Sequence, residues 1–250
     1  MKVDERNRIN IFGVLLDRVD YDEACGRVEM FLQSYGNRII VTPNAEIIMA
    51  ARKDPGLKAA LNAADVCLPD GIGVVIASKI IGKPLAERTT GFDFMMKVME
   101  TSDKEGLSLF LLGGKPGVAE KAGEKIKAMF PGTQIAGSHH GYFKENDEQE
   151  VIDKINNKKP DILLVAMGCP KQEIFMIHNK DKLKFRVAMG VGGSLDVLSG
   201  TVRRAPVFMQ KAGLEWLYRL LTQPLRFKRM SVLPLFLIEV IAHRLFTGDK

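Results

Sequence analysis

The chain has 250 residues, of which 46% are hydrophobic and 26% charged, with a formal net charge of +6. That length and balance suit one large α/β domain or two small ones, and exclude a disordered chain, a coiled coil and a collagen-like repeat. The positive excess is not spread evenly. Residues 201–250 carry nine Lys/Arg and three Asp/Glu, which leaves the first 200 residues neutral and points the tail towards an anionic partner.

The opening residues, MKVDERNRIN, are charged and lack an apolar core, so no secretory leader is expected. A first strand is predicted over Ile9–Leu15 and a first helix over Tyr21–Gln33. Asp20 and Glu23 stand at capping-box spacing before that helix. Asp20-Tyr21-Asp22 also has the DxD spacing by which some nucleotide-sugar enzymes hold a metal, but the capping box accounts for these acids and no metal site is expected. Strand Arg38–Val41 leads into Thr42-Pro43-Asn44-Ala45-Glu46 and a helix over Ala45–Arg52. Asn44 is placed to cap that helix, and Thr42 offers a hydroxyl at the sheet edge. Strand Asp65–Leu68 leads into Pro69-Asp70-Gly71. Asp70 lies between a rigid and a permissive residue, either as a plain turn residue or as a fixed carboxylate serving as general base.

Helices are predicted over Gly73–Ile81 and Phe92–Thr101. Leu107–Leu112 and Ile162–Met167 are near-continuous apolar runs, as expected of parallel strands covered on both faces. After the first comes Gly113-Gly114-Lys115-Pro116-Gly117, a glycine-rich turn without GxGxxG or a GK[ST] ending. Helix Val118–Met129 and strand Gln134–Gly137 follow. The longest stretch without a charged residue, 128–143, is 16 residues long and contains Pro131 and three glycines, which excludes a membrane span there. His139 and His140 are adjacent and would point apart in a strand. Helices are expected over Glu148–Asn156 and Gln172–Asn179. The turn Gly168-Cys169-Pro170-Lys171-Gln172-Glu173 opens the latter, and a helix N-terminus favours anions such as diphosphate. Strand Val187–Gly190 leads to Gly192-Gly193-Ser194-Leu195-Asp196, where Asp196 either caps or accepts from a ribose or a base. The cysteines, Cys25, Cys67 and Cys169, are odd in number and form no CxxC pair, as expected in a reducing cytoplasm.

This alternation predicts an α/β, Rossmann-like layered fold with a mainly parallel sheet. From Pro206 to Phe246 the composition is helical, with Pro224 and Pro234 as breaks, each able to open a helix at its first turn. Val232–Ile241 is strongly apolar and flanked by Arg226, Lys228, Arg229 and Arg244. Two readings stay open for this segment, a helix pair packed on the sheet or an element lying on a membrane surface. The interleaved Leu, Phe and Ile argue against nucleic acid as its partner.

Six motifs in one order, TPNAE, PDGIG, ERTTGFDF at 87–94, GxPKQE at 168–173, GGSLD and GLEWLYRL followed by P-x-R, resemble the WecG/TagA/CpsF glycosyltransferases over about residues 9–230. The resemblance implies an inverting glycosyltransferase without a cofactor. Its donor would be a UDP-sugar and its acceptor a polyprenyl-diphosphate-linked GlcNAc at the cytoplasmic face of the cell membrane. The branch most similar implies transfer of N-acetylmannosamine to the GlcNAc 4-hydroxyl, in synthesis of the wall teichoic acid linkage unit. Asp70 would then take the hydroxyl proton, with Thr42 and Gln172 positioning the sugars. Asn44 and Arg88 would face the substrates, Tyr142 and Asp196 would hold the uridine, and Arg219, Arg226 and Arg229 would reach the diphosphates. Residues 1–200 would form the catalytic body, and the basic, apolar helical appendage 201–250 would complete the site at the membrane. Other donors (UDP-ManNAcA or UDP-glucose, for an exopolysaccharide), a non-enzymatic nucleotide-sensing adaptor and a homo-oligomer stay open. An NAD(P) oxidoreductase would need GxGxxG after the first strand, where Leu16-Asp17-Arg18-Val19-Asp20 stands instead.

Overall fold

The computed structural model describes residues 7–34, 36–85, 89–222 and 232–247. Six strands form one parallel sheet: β3 (Arg38–Val41), β4 (Val66–Cys67), β5 (Ser108–Gly113), β6 (Gln134–His139), β7 (Ile162–Ala166) and β8 (Val187–Gly190). Their spatial order is β4-β3-β8-β7-β5-β6, and every neighbouring pair is parallel. The apolar runs behave as expected of a doubly covered sheet. Phe110, Leu112, Leu163 and Val165 enter one core, whereas Leu109, Leu111, Ile162 and Leu164 enter the other. The second core is covered by α1 (Tyr21–Gln33), α5 (Gly91–Glu105), α6 (Val118–Met129) and α9 (Ser194–Leu198). The first is covered by α2 (Ala45–Lys53), α3 (Pro55–Ala63), α4 (Ile72–Ile80), α7 (Glu148–Lys158) and α8 (Lys171–His178).

The expected strand over Ile9–Leu15 is instead a hairpin outside the sheet. β1 (Arg8–Ile11) and β2 (Val14–Asp17) pair antiparallel, joined by Phe12 and Gly13. Both joining residues have positive φ, 54° and 87°, as a two-residue I′ turn demands, and Asn10 Oδ1 accepts from the Gly13 N–H. Buried Asp17 fastens the hairpin to the sheet. It accepts from Arg8 Nε at 3.0 Å and from the Cys67 N–H at 2.7 Å. Asp20 and Glu23 form the expected capping box of α1.

The tail forms α10 (Val207–Lys211), α11 (Glu215–Thr222) and a last helix, α12 (Val232–Thr247). Pro206 stands just before α10 and Pro234 lies in the first turn of α12. Pro224 lies outside the described residues. α12 packs on α2 and α4, with Phe236 fully buried and Val240 nearly so. Phe236 meets the Phe12 ring edge-on at 5.9 Å, so the last helix also covers the hairpin turn. Among the described residues, no helix is long and apolar enough to cross a membrane.

Candidate active site

All six strands of a parallel sheet end at one edge, and the polar turns singled out from the sequence gather there. The turns after β3 and β4 are joined directly, because the Asp70 N–H donates to the Pro43 carbonyl at 3.1 Å. Asn44 is the cap of α2, accepting from the Ile47 N–H at 3.1 Å. Asp70 is not a cap. It precedes Gly71, which starts α4 with no side-chain cap at all, and it makes a parallel bridge to Thr89. Its partly exposed carboxylate lines a cavity with Asn44, Glu46, Glu215, Trp216 and Arg219.

That cavity has two parents. Asn44, Glu46 and Asp70 come from the strand ends of the body, and Glu215, Trp216 and Arg219 come from α11. Leu233, near the start of α12, closes another side. Glu215 and Arg219 are four residues apart, so one helix face presents both. Arg204 holds α11 in place. Its guanidinium donates to Asp93 at 2.7 Å, lies 3.4 Å from Glu215 and covers the Phe92 ring at 4.3 Å. Asp93 belongs to the first turn of α5, which Thr90 caps. Thr42 sits beside this turn. A Cβ on Gly91 would lie 2.7 Å from Thr42 Oγ1, so only glycine lets α5 start there.

Gln172 is 4% exposed, and both polar atoms of its amide are hydrogen-bonded. Oε1 accepts from the Gly168 N–H at 3.2 Å and the Gly192 N–H at 3.0 Å, which clamps the turns after β7 and β8 together. Nε2 donates one of its hydrogens to Glu173 Oε1 at 2.8 Å. Glu173 is itself buried, and its Oε2 has no hydrogen-bond partner among the described residues. Burial pushes this carboxyl above the ordinary glutamate range, against the opposing bond from Gln172.

The remaining candidates are dispersed. Asp196 lies in the first turn of α9, after β8. Tyr142 is 68% exposed, in the turn that follows β6. The chain turns back from β6 here, since Gly141 lies over Gly113 and Met167 at the ends of β5 and β7 and Phe143 meets Phe175 of α8 at 6.2 Å, and Tyr142 does not line the cavity of Asp70. Arg88, Arg226 and Arg229 lie outside the described residues. Among those that are described, no three His, Cys, Asp or Glu side chains cluster as metal ligands. Glu46, Arg204, Glu215 and Trp216 are additions to the site. The GLEWLYRL run carried the signal for Glu215 and Trp216, through their helical spacing to Arg219. Nothing in the local pattern distinguished Arg204 from Arg203.

The family model described as Glycosyl transferase WecG/TagA/CpsF family matches residues 9–250. The chain belongs to this family. It is thus a glycosyltransferase, with its cavity at the strand ends where this fold class binds ligands. A protein of Bacillus spizizenii (strain ATCC 23059 / NRRL B-14472 / W23) is 43% identical over 213 residues, covering 85% of this chain and 82% of the relative. A protein of Staphylococcus aureus (strain MRSA252) is 34% identical over 245 residues, covering 96% of each chain. Both relatives bear the name N-acetylglucosaminyldiphosphoundecaprenol N-acetyl-beta-D-mannosaminyltransferase.

Proposed function

We propose that this glycosyltransferase moves N-acetylmannosamine from UDP-ManNAc to the 4-hydroxyl of GlcNAc on undecaprenyl diphosphate, with inversion, as a step of wall teichoic acid linkage-unit synthesis. The observation that carries the reading is the shared cavity, in which Asp70 of the body faces Arg219 of the tail. Asp70 is a carboxylate on a short, hydrogen-bonded turn, suited to take the acceptor proton as the oxygen attacks the anomeric carbon. The bond from that carbon to the UDP oxygen breaks in the same displacement. The departing diphosphate needs positive charge, which arginine supplies through paired donors. Arg219 stands in the cavity for this purpose, and Arg88, Arg226 and Arg229 are assigned to the same work.

The other residues have supporting roles in this reading. Thr42, beside the N-terminus of α5, and Asn44 position the sugars. Gln172 acts through the turns it clamps, shaping the strand ends around the donor. Tyr142 and Asp196 hold the uridine, by stacking and by hydrogen bonding to the ribose or base. The tail rests on the cytoplasmic face of the membrane, where the polyprenyl acceptor resides. The exposed side chains Leu235, Ile238, Ile241 and Leu245 recur every three or four residues along α12 and support this placement.

The test offers UDP-ManNAc, UDP-ManNAcA and UDP-glucose with a short-chain GlcNAc-diphospho-lipid, with EDTA present. Release of UDP from UDP-ManNAc alone, with a β-linked product, is the expected result. Preference for another donor would overturn the donor assignment. UDP binding without turnover of any donor would favour the adaptor.

A further inference from the structure

α12 runs alongside α4 in the same direction. Near their starts Leu233 lies against Gly73, and at the other end Arg244, in the last turn of α12, lies against Gly82, just beyond α4. Leu233 borders the Asp70 cavity, whereas Arg244 borders a second recess of about 560 Å³. One helix thus connects the two, over a rise of about 16 Å.

The second recess is basic. Arg52 of α2, Lys58 of α3, Lys83 beyond α4, and His243 and Arg244 of α12 line it, with the Phe12–Gly13 turn closing one side. Arg52 is paired with Glu239 and covers the Phe12 ring at 4.3 Å. No carboxylate pairs with Lys58, Lys83 or Arg244 among the described residues, and none lines the recess. Two glycines lie next to these cations. A Cβ on Gly13 would lie 3.5 Å from Lys58 Nζ, and one on Gly82 would lie 3.6 Å from an Arg244 guanidinium nitrogen. Both glycines have positive φ, 87° and 82°, a conformation that side chains disfavour.

Beside the recess is the outer face of α12, where Ile241 and Leu245 are exposed next to Arg244. A row of exposed apolar side chains that ends at three unpaired cations matches a ligand with apolar chains and an anionic head. We propose that this recess binds the phosphate of an anionic phospholipid, between Lys58, Lys83 and Arg244, while the acyl chains meet the exposed face of α12. The inference rests on the reading that α12 lies on a membrane. It adds a fixed headgroup site at the end of the helix remote from Asp70, which would set the orientation in which the cavity meets its lipid acceptor.

The experiment compares binding of the full chain to phosphatidylcholine vesicles with and without phosphatidylglycerol, at equal ionic strength. Lys58→Gln/Lys83→Gln/Arg244→Gln is expected to lose roughly fivefold in partition per charge removed on the anionic vesicles, and to bind neutral vesicles as the wild type does. Lys121→Gln/Lys125→Gln/Lys127→Gln, on α6, removes equal charge and is expected to lose far less. Equal losses in the two triple variants would mean diffuse attraction and overturn the site. Displacement by soluble glycerol phosphate as effective as vesicle binding would assign the recess to free phosphate and overturn the lipid. Turnover on a short-chain acceptor is expected to survive the first triple variant, and its loss would place the recess in the reaction and overturn the proposal. A wild type that transfers no sugar yet shows the charge-specific vesicle binding would sink the transferase reading and leave this one standing. If the triple variant does not fold, as judged by circular dichroism, Lys83→Gln alone is expected to show the single-charge loss.

Discussion

β5 and β7 bury side chains on both faces, whereas α12 uses only one side. From Leu109 to Leu112 and from Ile162 to Val165 each residue is buried, on alternating faces of the sheet. In α12, Phe236 and Val240 are buried, but Leu235, Ile238, Ile241 and Leu245 face outward. Charge divides the chain in the same way, since the whole excess of six lies after residue 200. The tail spends one apolar face on the body and leaves a second that the described residues do not cover, and the Asp70 cavity forms where the two regions meet.

If α12 is anchored by its inner face, removing that anchor is costly. Phe236→Ala is expected to destabilise the chain by about 3–5 kcal/mol, and to lower the melting temperature by roughly 10 °C for a chain of this size. Leu235→Ala or Ile238→Ala, on the outer face, should leave the melting temperature nearly unchanged. Equal losses from both faces would erase the contrast.

The next effect tests whether the tail belongs to the site. Arg219→Ala is expected to lower kcat/KM by roughly 10²–10³-fold, the scale for losing one charge-stabilising donor, with no change in melting temperature. A change in stability alone would return Arg219 to a structural part.

Within the body, Asp65 is buried with Lys180 at 2.8 Å and Arg38 at 3.0 Å. Burial pushes its carboxyl up, but the bonds from Lys180, the Ile39 N–H and Arg38 outweigh it, and the net is a value below the ordinary aspartate range. The unfolded chain therefore takes up this proton first as pH falls. The stabilisation is present above the unfolded value and is lost as pH drops through the folded one. Asp65→Asn is expected to cost about 1–3 kcal/mol at neutral pH and to flatten the acid limb of stability, read from urea unfolding between pH 2 and 7.

The smallest effect concerns Glu173, whose shift has the opposite sign. Its carboxyl keeps a proton that the unfolded chain has lost, so its contribution falls as pH rises from the unfolded value to the folded one. Glu173→Gln keeps an acceptor for Gln172 and removes the ionisable group. Thermal melts across pH 4–9 should show the variant gaining a few degrees on the wild type towards the alkaline end. A constant difference across that range would contradict the shift.

Much of the sheet was legible because doubly buried parallel strands are continuous apolar runs and their helices carry caps. Tyr21–Gln33 and Val118–Met129 have the expected ends. The hairpin was hidden because Ile9–Leu15 alternates like one strand, and the turn is announced only by Gly13. α3 was missed although Asp54 caps it and Pro55 opens it, a start signal present in the sequence. Within the site, single turns pointed to Asp70, Asn44 and Gln172. The cavity itself was not legible, because α11 reaches Asp70 through contacts far apart in sequence, such as those that Arg204 makes with Asp93 and Glu215 and that Gly213 makes with Ile72.

The central claim is that Asp70 is the base of a transfer reaction in the cavity shared by body and tail. The direct measurement is single-turnover transfer from UDP-ManNAc to a short-chain GlcNAc-diphospho-lipid, by wild type and Asp70→Asn at matched melting temperature. Turnover by the wild type with a loss of roughly 10²–10⁴-fold in the variant is the predicted result. Near-wild-type turnover by Asp70→Asn would contradict it.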